Sequence, residues 1–139
     1  MANNDPLPEK SVLTLAVSKK IIAAAEAEAQ KHAWPVVIAV VDDGGNLICL
    51  DRLDNAQFGS VEIAIRKAKA AVAFKRPTKV WEDALAGGRQ GVLGLPGVVP
   101  SEGGVPLIWK GKIIGAIGVS GVKASEDGQI ALAGTKMLE

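Results

Sequence analysis

The stretch VVIAVVDDGGNLICLDRL, Val36 to Leu53, decides the fold. VVIAVV is a continuous β-branched run of the kind that forms a strand covered on both faces. DDGGN, Asp42 to Asn46, is turn chemistry that permits positive φ, and LICLDRL returns as a second strand. The stretch therefore predicts a β-hairpin. Trp34-Pro35 precedes it, and a residue before proline avoids helical angles, so any upstream helix must stop there.

Upstream, Ser11 to His32 reads as one long helix, rich in alanine and free of internal Gly or Pro, with Leu15, Ile21, Ile22, Ala25 and Ala29 on one face. Residues 1–10 are polar and hold two prolines, so they are expected to be disordered. Downstream, Ser60 is a candidate cap for a helix running to Phe74. Val61, Ala64, Ile65, Ala68, Ala71 and Val72 form its apolar arc, and Lys67 lies inside the band that Ile63 and Phe74 extend. A lysine there is either snorkelling or ion-paired, or it is a site lysine. Thr78 is a candidate cap for a short helix, TKVWEDALA.

Seven of the eighteen residues from Gly87 to Gly104 are glycine, a composition for a mobile loop or for backbone packed close to something. A short extra strand is expected near Val98-Val99. VPLIW and KIIGAIGVSG then form a second hairpin around Lys110-Gly111, where Gly115 and Gly118 imply close backbone approach. Ser125 to Met137 reads as a terminal helix with Glu126 and Asp127 in its first turn. Leu138-Glu139 reads as a tag remnant outside the single domain, residues 11–137. The order is α-β-β-α-α-β-β-α, an α/β (α+β) arrangement whose sheet is largely antiparallel and covered by helices.

Composition narrows the function. The chain of 139 residues has a net charge of +1 and 4% aromatic residues, which gives neither an electrostatic nor a stacking platform for nucleic acid. No run approaches membrane-spanning length and the N-terminus lacks an apolar signal core, so membrane partnership is not expected and the protein reads as cytoplasmic. Cys49 is the only cysteine, which excludes an internal disulfide and a multi-cysteine metal site; no metal is expected. The glycine-rich region contains no nucleotide-phosphate motif.

The chemistry-bearing residues each carry two readings. Asp42 and Asp43 are turn residues, or Asp42 is an acid/base. Arg52 and Asp54 end the return strand, where side chains can converge with Asp42; Arg52 forks either to a ligand carboxylate or to Asp42, Asp51 or Asp54. Glu102, before Gly103-Gly104, orients a ligand or moves a proton, or is a solvated loop residue. His32 interacts with helix-end carbonyls or ligates haem. Trp34, Trp81 and Trp109 mark core, subunit contacts or a ligand platform.

These stretches together resemble the GlcG/HbpS-like family, sometimes labelled haem-degrading, which includes the C-terminal domain of PduO. The resemblance rests on LTLAVSKKIIAAAEAEA, VVIAVVDDGGNLICLDRLDNA, the lysine of IAIRKAKAA, FKRPT, and SEGGVPLIWKGKIIGAIGVSG. It covers Val12 to Gly134. It implies a profilin-like αβ sandwich with a five-stranded antiparallel sheet, in dimers that build tetramers or octamers, with haem or another small organic molecule as ligand. The family's signature residues fall on Asp42, Gly44, Gly45, Arg52, Asp54, Lys67, Thr78, Gly103, Gly104, Gly118 and Ser120. Where the family usually shows Arg-Met-Asp-Gly-Ala, this chain has Arg52-Leu53-Asp54-Asn55-Ala56. Haem iron takes His, Met, Cys or Tyr, and the chain has no Tyr, so the iron ligand is expected to be His32 or a weak oxygen donor such as Thr78.

Three functions follow as expectations. One is a binder of haem or a related small ligand, with Asp54, Thr78, Gly103, Gly104 and Ser120 around it. Another is a cofactor-independent enzyme on a small organic acid, in a catabolic pathway, using Arg52, Glu102, Asp42 and Lys67 for hydrolysis, deamination or tautomerisation. The last is an accessory subunit without chemistry. The first two need the first hairpin's acidic turn and arginine to enclose one cavity with the twin glycines.

Overall fold

The computed structural model describes residues 2–139. Four helices, α1 (Leu15–Lys31), α2 (Gly59–Ala73), α3 (Lys79–Ala86) and α4 (Ala124–Thr135), accompany strands β1 (Val37–Asp42), β2 (Leu47–Arg52), β3 (Gly104–Trp109) and β4 (Lys112–Ser120). Both predicted hairpins are present, and they join through β1 and β4 in the order β2-β1-β4-β3. Every neighbouring pair is antiparallel. The sheet has four strands, not five: Val98-Val99 lies in irregular backbone after a 3-10 turn at Gln90–Gly94. Pro106 sits in edge strand β3, where its missing N–H breaks no second ladder.

The two faces of the sheet are filled differently. On one face Val36, Ile38, Val40, Ile117 and Val119 meet Ile21, Ile22 and Ala25 of α1 and Ile130 and Ala131 of α4. On the other, Val37, Ala39, Val41 and Ala116 meet the alanines of α2. This second layer is thin because both surfaces are small. A Cβ on Gly118 would run into the carbonyl of Ala64 and come within 2.6 Å of the Ala68 nitrogen. The alanine arc of α2 therefore rests directly on strand backbone.

Several local expectations change. α1 starts at Leu15 rather than Ser11, because Thr14 caps it by accepting from the Val17 N–H at 3.2 Å. Ser60 is not a cap; it is buried in the first turn of α2, and Ser120 Oγ donates to its Oγ at 3.1 Å. α4 ends at Thr135, and a 3-10 turn at Lys136–Leu138 follows, with Leu138 packed against the larger core cluster. Among the described residues, no helix is long and apolar enough to cross a membrane.

Candidate functional site

Lys67 and Asp127 form the one ion pair among the described residues that is buried on both sides, at 3.0 Å with side-chain exposures of 2% and 4%. The lysine leaves α2 inside its apolar band, because its ammonium crosses to α4 and also donates to the Val119 carbonyl at 3.0 Å. Asp127 completes its own satisfaction by accepting from the Val122 N–H at 3.1 Å. Burial pushes the Asp127 carboxyl above its ordinary value, with the Lys67 charge acting against that rise. Space for the crossing is left by the twin glycines. A Cβ on Gly103 would stand 2.9 Å from the Lys67 amine, and one on Gly104 would stand 2.8 Å from Thr78 Cγ2.

Thr78 is fully buried, and its hydroxyl accepts from the Gly104 N–H at 2.9 Å instead of capping α3. Glu102 lies against Gly128 of α4, and its backbone N–H donates to Glu82 at 3.2 Å. Desolvation raises its carboxyl above the ordinary value. Lys67, Thr78, Glu102, Gly103 and Gly104 thus do come together, around Asp127. What they make is a packed junction between α2, β3 and α4, not a cavity.

Arg52 lies elsewhere. The hairpin register pairs Arg52 with Val37 and Leu47 with Val41, which puts Asp42 at the opposite end of the strands. Four to five residues of strand separate them, roughly 15 Å. The expected convergence of Asp42 with Arg52 and Asp54 is therefore corrected. Two intervening strands also separate β2 from Gly104 on β3, about 14 Å. The single cavity drawn from sequence does not form within one chain, and an acid/base site combining Arg52 with Glu102 or Lys67 does not assemble there. Asp42 serves the turn: its Oδ1 accepts from the N–H groups of Gly44 and Asn46, both at 2.9 Å. These bonds, Asn46 foremost, hold its carboxyl below the usual range.

Arg52 opens onto a polar cleft of about 570 Å³ between the end of α1 and the end of β2, lined by Glu26, Gln30, Trp34, Asp51 and Asp54 among others. A second hollow of about 460 Å³ continues from Arg52 to Phe58. Volumes of this order suit a small ligand. Among the described residues no carboxylate lies within 4.0 Å of the Arg52 guanidinium, so none of its three candidate partners is taken. The guanidinium stands 5.4 Å from the centre of the Phe58 ring, which is 80% exposed. Asn55 carries the cleft's floor around a bend at φ 70°, the conformation glycine takes most easily and asparagine tolerates next best. Asparagine thus takes the bend where the resemblance implied glycine.

His32 caps the end of α1. Its ring stacks on Trp34 at 4.2 Å, and its Nε2 lies 3.1 Å from Glu28 and 3.3 Å from Gln129. Gln129, Lys31 and His32 together lower the Glu28 carboxyl to about 2. These positions decide the fit of haem. Arg52 and the exposed ring of Phe58 suit a propionate and a porphyrin edge, but no residue lining the cleft is His, Met, Cys or Tyr. Thr78 is enclosed, and His32 is held by its neighbours. The cleft does not furnish the iron-binding half of a haem site.

The family description "Haem degrading protein HbpS-like" matches residues 13–136. The chain belongs to the HbpS-like family. Protein GlcG of Escherichia coli strain K12 is 42% identical over 111 residues, which covers 80% of this chain and 83% of that protein. A crystal structure of a double mutant of Streptomyces reticuli HbpS superposes with a TM-score of 0.88 at 34% identity, covering 100% of this chain and 95% of that one. The crystal structure of a PduOC:heme complex matches with a TM-score of 0.83 at 29% identity, covering 93% of this chain and 96% of that one.

Asp127, Phe58 and the Glu28–Gln129 pair were missed by sequence reasoning. Asp127 carried a usable signal. It lies three and four residues before Ile130 and Ala131 on the buried face of α4, so it is a charge on an apolar arc, as Lys67 is on α2. Two such misplaced charges of opposite sign point to each other. The Glu28–Gln129 contact spans 101 residues and has no local signature.

Proposed function

We propose that this HbpS-like protein binds a small, carboxylate-bearing organic ligand in the Arg52 cleft and works as a homo-oligomer. The observation that carries the reading is the guanidinium left without a carboxylate partner among the described residues, beside a cleft of ligand size. A planar fork of this kind holds a carboxylate through two parallel hydrogen bonds. Asp54, beside it, selects against a second anion at that point. Haem is a ligand of this class through its propionates, and the haem complex of the similar PduOC chain supports it as the first probe. Leu47 and Ile108 are exposed on edge strands β2 and β3, where further copies can cover them.

Hemin titration followed by absorbance, with sedimentation equilibrium in parallel, tests both parts. Arg52→Ala is expected to weaken hemin at least tenfold, and Arg52→Lys to recover only part of the loss. A benzoate titration read by heat separates carboxylate recognition from porphyrin contact. Unchanged hemin and benzoate binding in Arg52→Ala removes the site assignment, and a monomer at micromolar concentration removes the assembly.

A further inference from the structure

A third concavity, about 540 Å³ in volume, lies at the other end of the sheet. Its walls are the N-terminal segment at Glu9, Lys10 and Ser11, the turn of the first hairpin at Asp43, Lys75 after α2, and the turn of the second hairpin from Trp109 to Lys112. Asp43 and Arg52 sit at opposite ends of the first hairpin, so this hollow is separate from the Arg52 cleft.

Its charge is unbalanced in a way the whole chain is not. The protein carries 16 basic and 15 acidic residues, yet four lysines face two carboxylates here. One of the four, Lys10, is neutralised by Asp43 at 2.7 Å. Lys75, Lys110 and Lys112 have no carboxylate within 4.0 Å among the described residues. With Glu9 as the other carboxylate, four lysines against two acids leave the hollow a net positive charge, which favours an anion.

Lys75 stands at the left-handed position that ends α2, with φ 55°, and Lys110, with φ 49°, opens the two-residue turn between β3 and β4. The indole of Trp109 is 39% exposed, and the Lys110 amine stands 5.5 Å from the ring centre. A flat apolar surface beside a cluster of amines suits a ligand with an anionic group and a ring.

We propose that this hollow is an oligophosphate-binding site, with Lys75, Lys110 and Lys112 neutralising the phosphates. Lysine acts on phosphate as a mobile point charge and needs no fixed fork, which matches three amines on separate segments. Two sources share this chemistry, free pyrophosphate and the phosphates of a nucleotide, and Trp109 distinguishes them by stacking on a base.

The test is calorimetric titration with inorganic pyrophosphate and with ATP, each at about 50 and about 200 mM salt, because phosphate contacts weaken steeply with ionic strength. The double variant Lys110→Asn/Lys112→Gln keeps a residue that tolerates the turn's positive φ. It is expected to bind pyrophosphate at least tenfold more weakly than the parent. The control Lys19→Ala/Lys20→Ala removes two exposed charges from α1 and should bind like the parent. ATP binding tighter than pyrophosphate, with the difference lost in Trp109→Leu, assigns a nucleotide; equal affinities assign the free anion. Parent protein that fails to bind either probe below millimolar concentration overturns the proposal, and so does an equal loss in the two double variants.

Discussion

Replacing Lys67 by methionine keeps most of the stem that fills the α2 arc and removes the ammonium. Asp127 then remains 3% exposed with only the Val122 N–H to accept from, and the Val119 carbonyl loses its donor. Breaking a buried pair from one side costs about 3–5 kcal/mol, because an uncompensated charge is left behind. Against a total of about 5–15 kcal/mol for a domain, this is a large share. It corresponds to a fall in Tm of about 10–20 °C at this chain length.

The loss should also depend on pH. Asp127 is already raised by burial, and removing the cation raises it further. A group whose folded pKa lies above its unfolded value contributes stability that is present below the unfolded pKa and lost as pH rises through the folded one. The variant should therefore lose less at about pH 5 than at about pH 7. Urea unfolding, read by tryptophan fluorescence and far-UV circular dichroism at matched protein concentration, measures this. Adding Asp127→Asn to Lys67→Met should restore part of the stability, since the stranded charge disappears. A loss below about 1 kcal/mol at neutral pH, or a double variant no more stable than the single, refutes the account of Lys67 as a structural counter-charge.

Further expectations follow from the same contacts. Thr78→Val removes the acceptor for the buried Gly104 N–H and should cost about 1–3 kcal/mol in chemical denaturation, while Thr78→Ser should keep most of it. Gly118→Ala puts a methyl into the backbone of α2 and should destabilise by about 1–3 kcal/mol, whereas Gly59→Ala meets nothing within 4 Å and should stay within about 0.5 kcal/mol. Glu28, lowered to about 2, should titrate well below an ordinary glutamate in a carboxyl-detected NMR series. Since its folded pKa is depressed, its contribution is complete above the unfolded value near 4.5 and fades as pH falls toward 2. Gln129→Ala should move that titration upward; an unmoved midpoint would show that Gln129 is not the main cause.

Hairpins, helix types and the antiparallel sheet were legible in the sequence because their causes are local. β-branched runs, DDGGN and Lys110-Gly111 specify strands and turns within a few residues, and alternation or helical spacing marks the buried faces. The family was legible too, since its signature residues stand at recognisable spacings from Asp42 to Ser120. The glycines illustrate the limit. Sequence showed that Gly118 needs close approach and left Gly103 and Gly104 in a stretch either mobile or closely packed, but did not show whether a ligand or a helix approaches. Only the packing decided that α2, Thr78 and the Lys67 amine fill the space. Likewise Asp42 and Arg52 are ten residues apart in a hairpin, and the register alone sends them to opposite ends. Local free energies choose the conformation of each segment; which segments meet depends on burying several apolar faces at once, and that is a property of the whole chain.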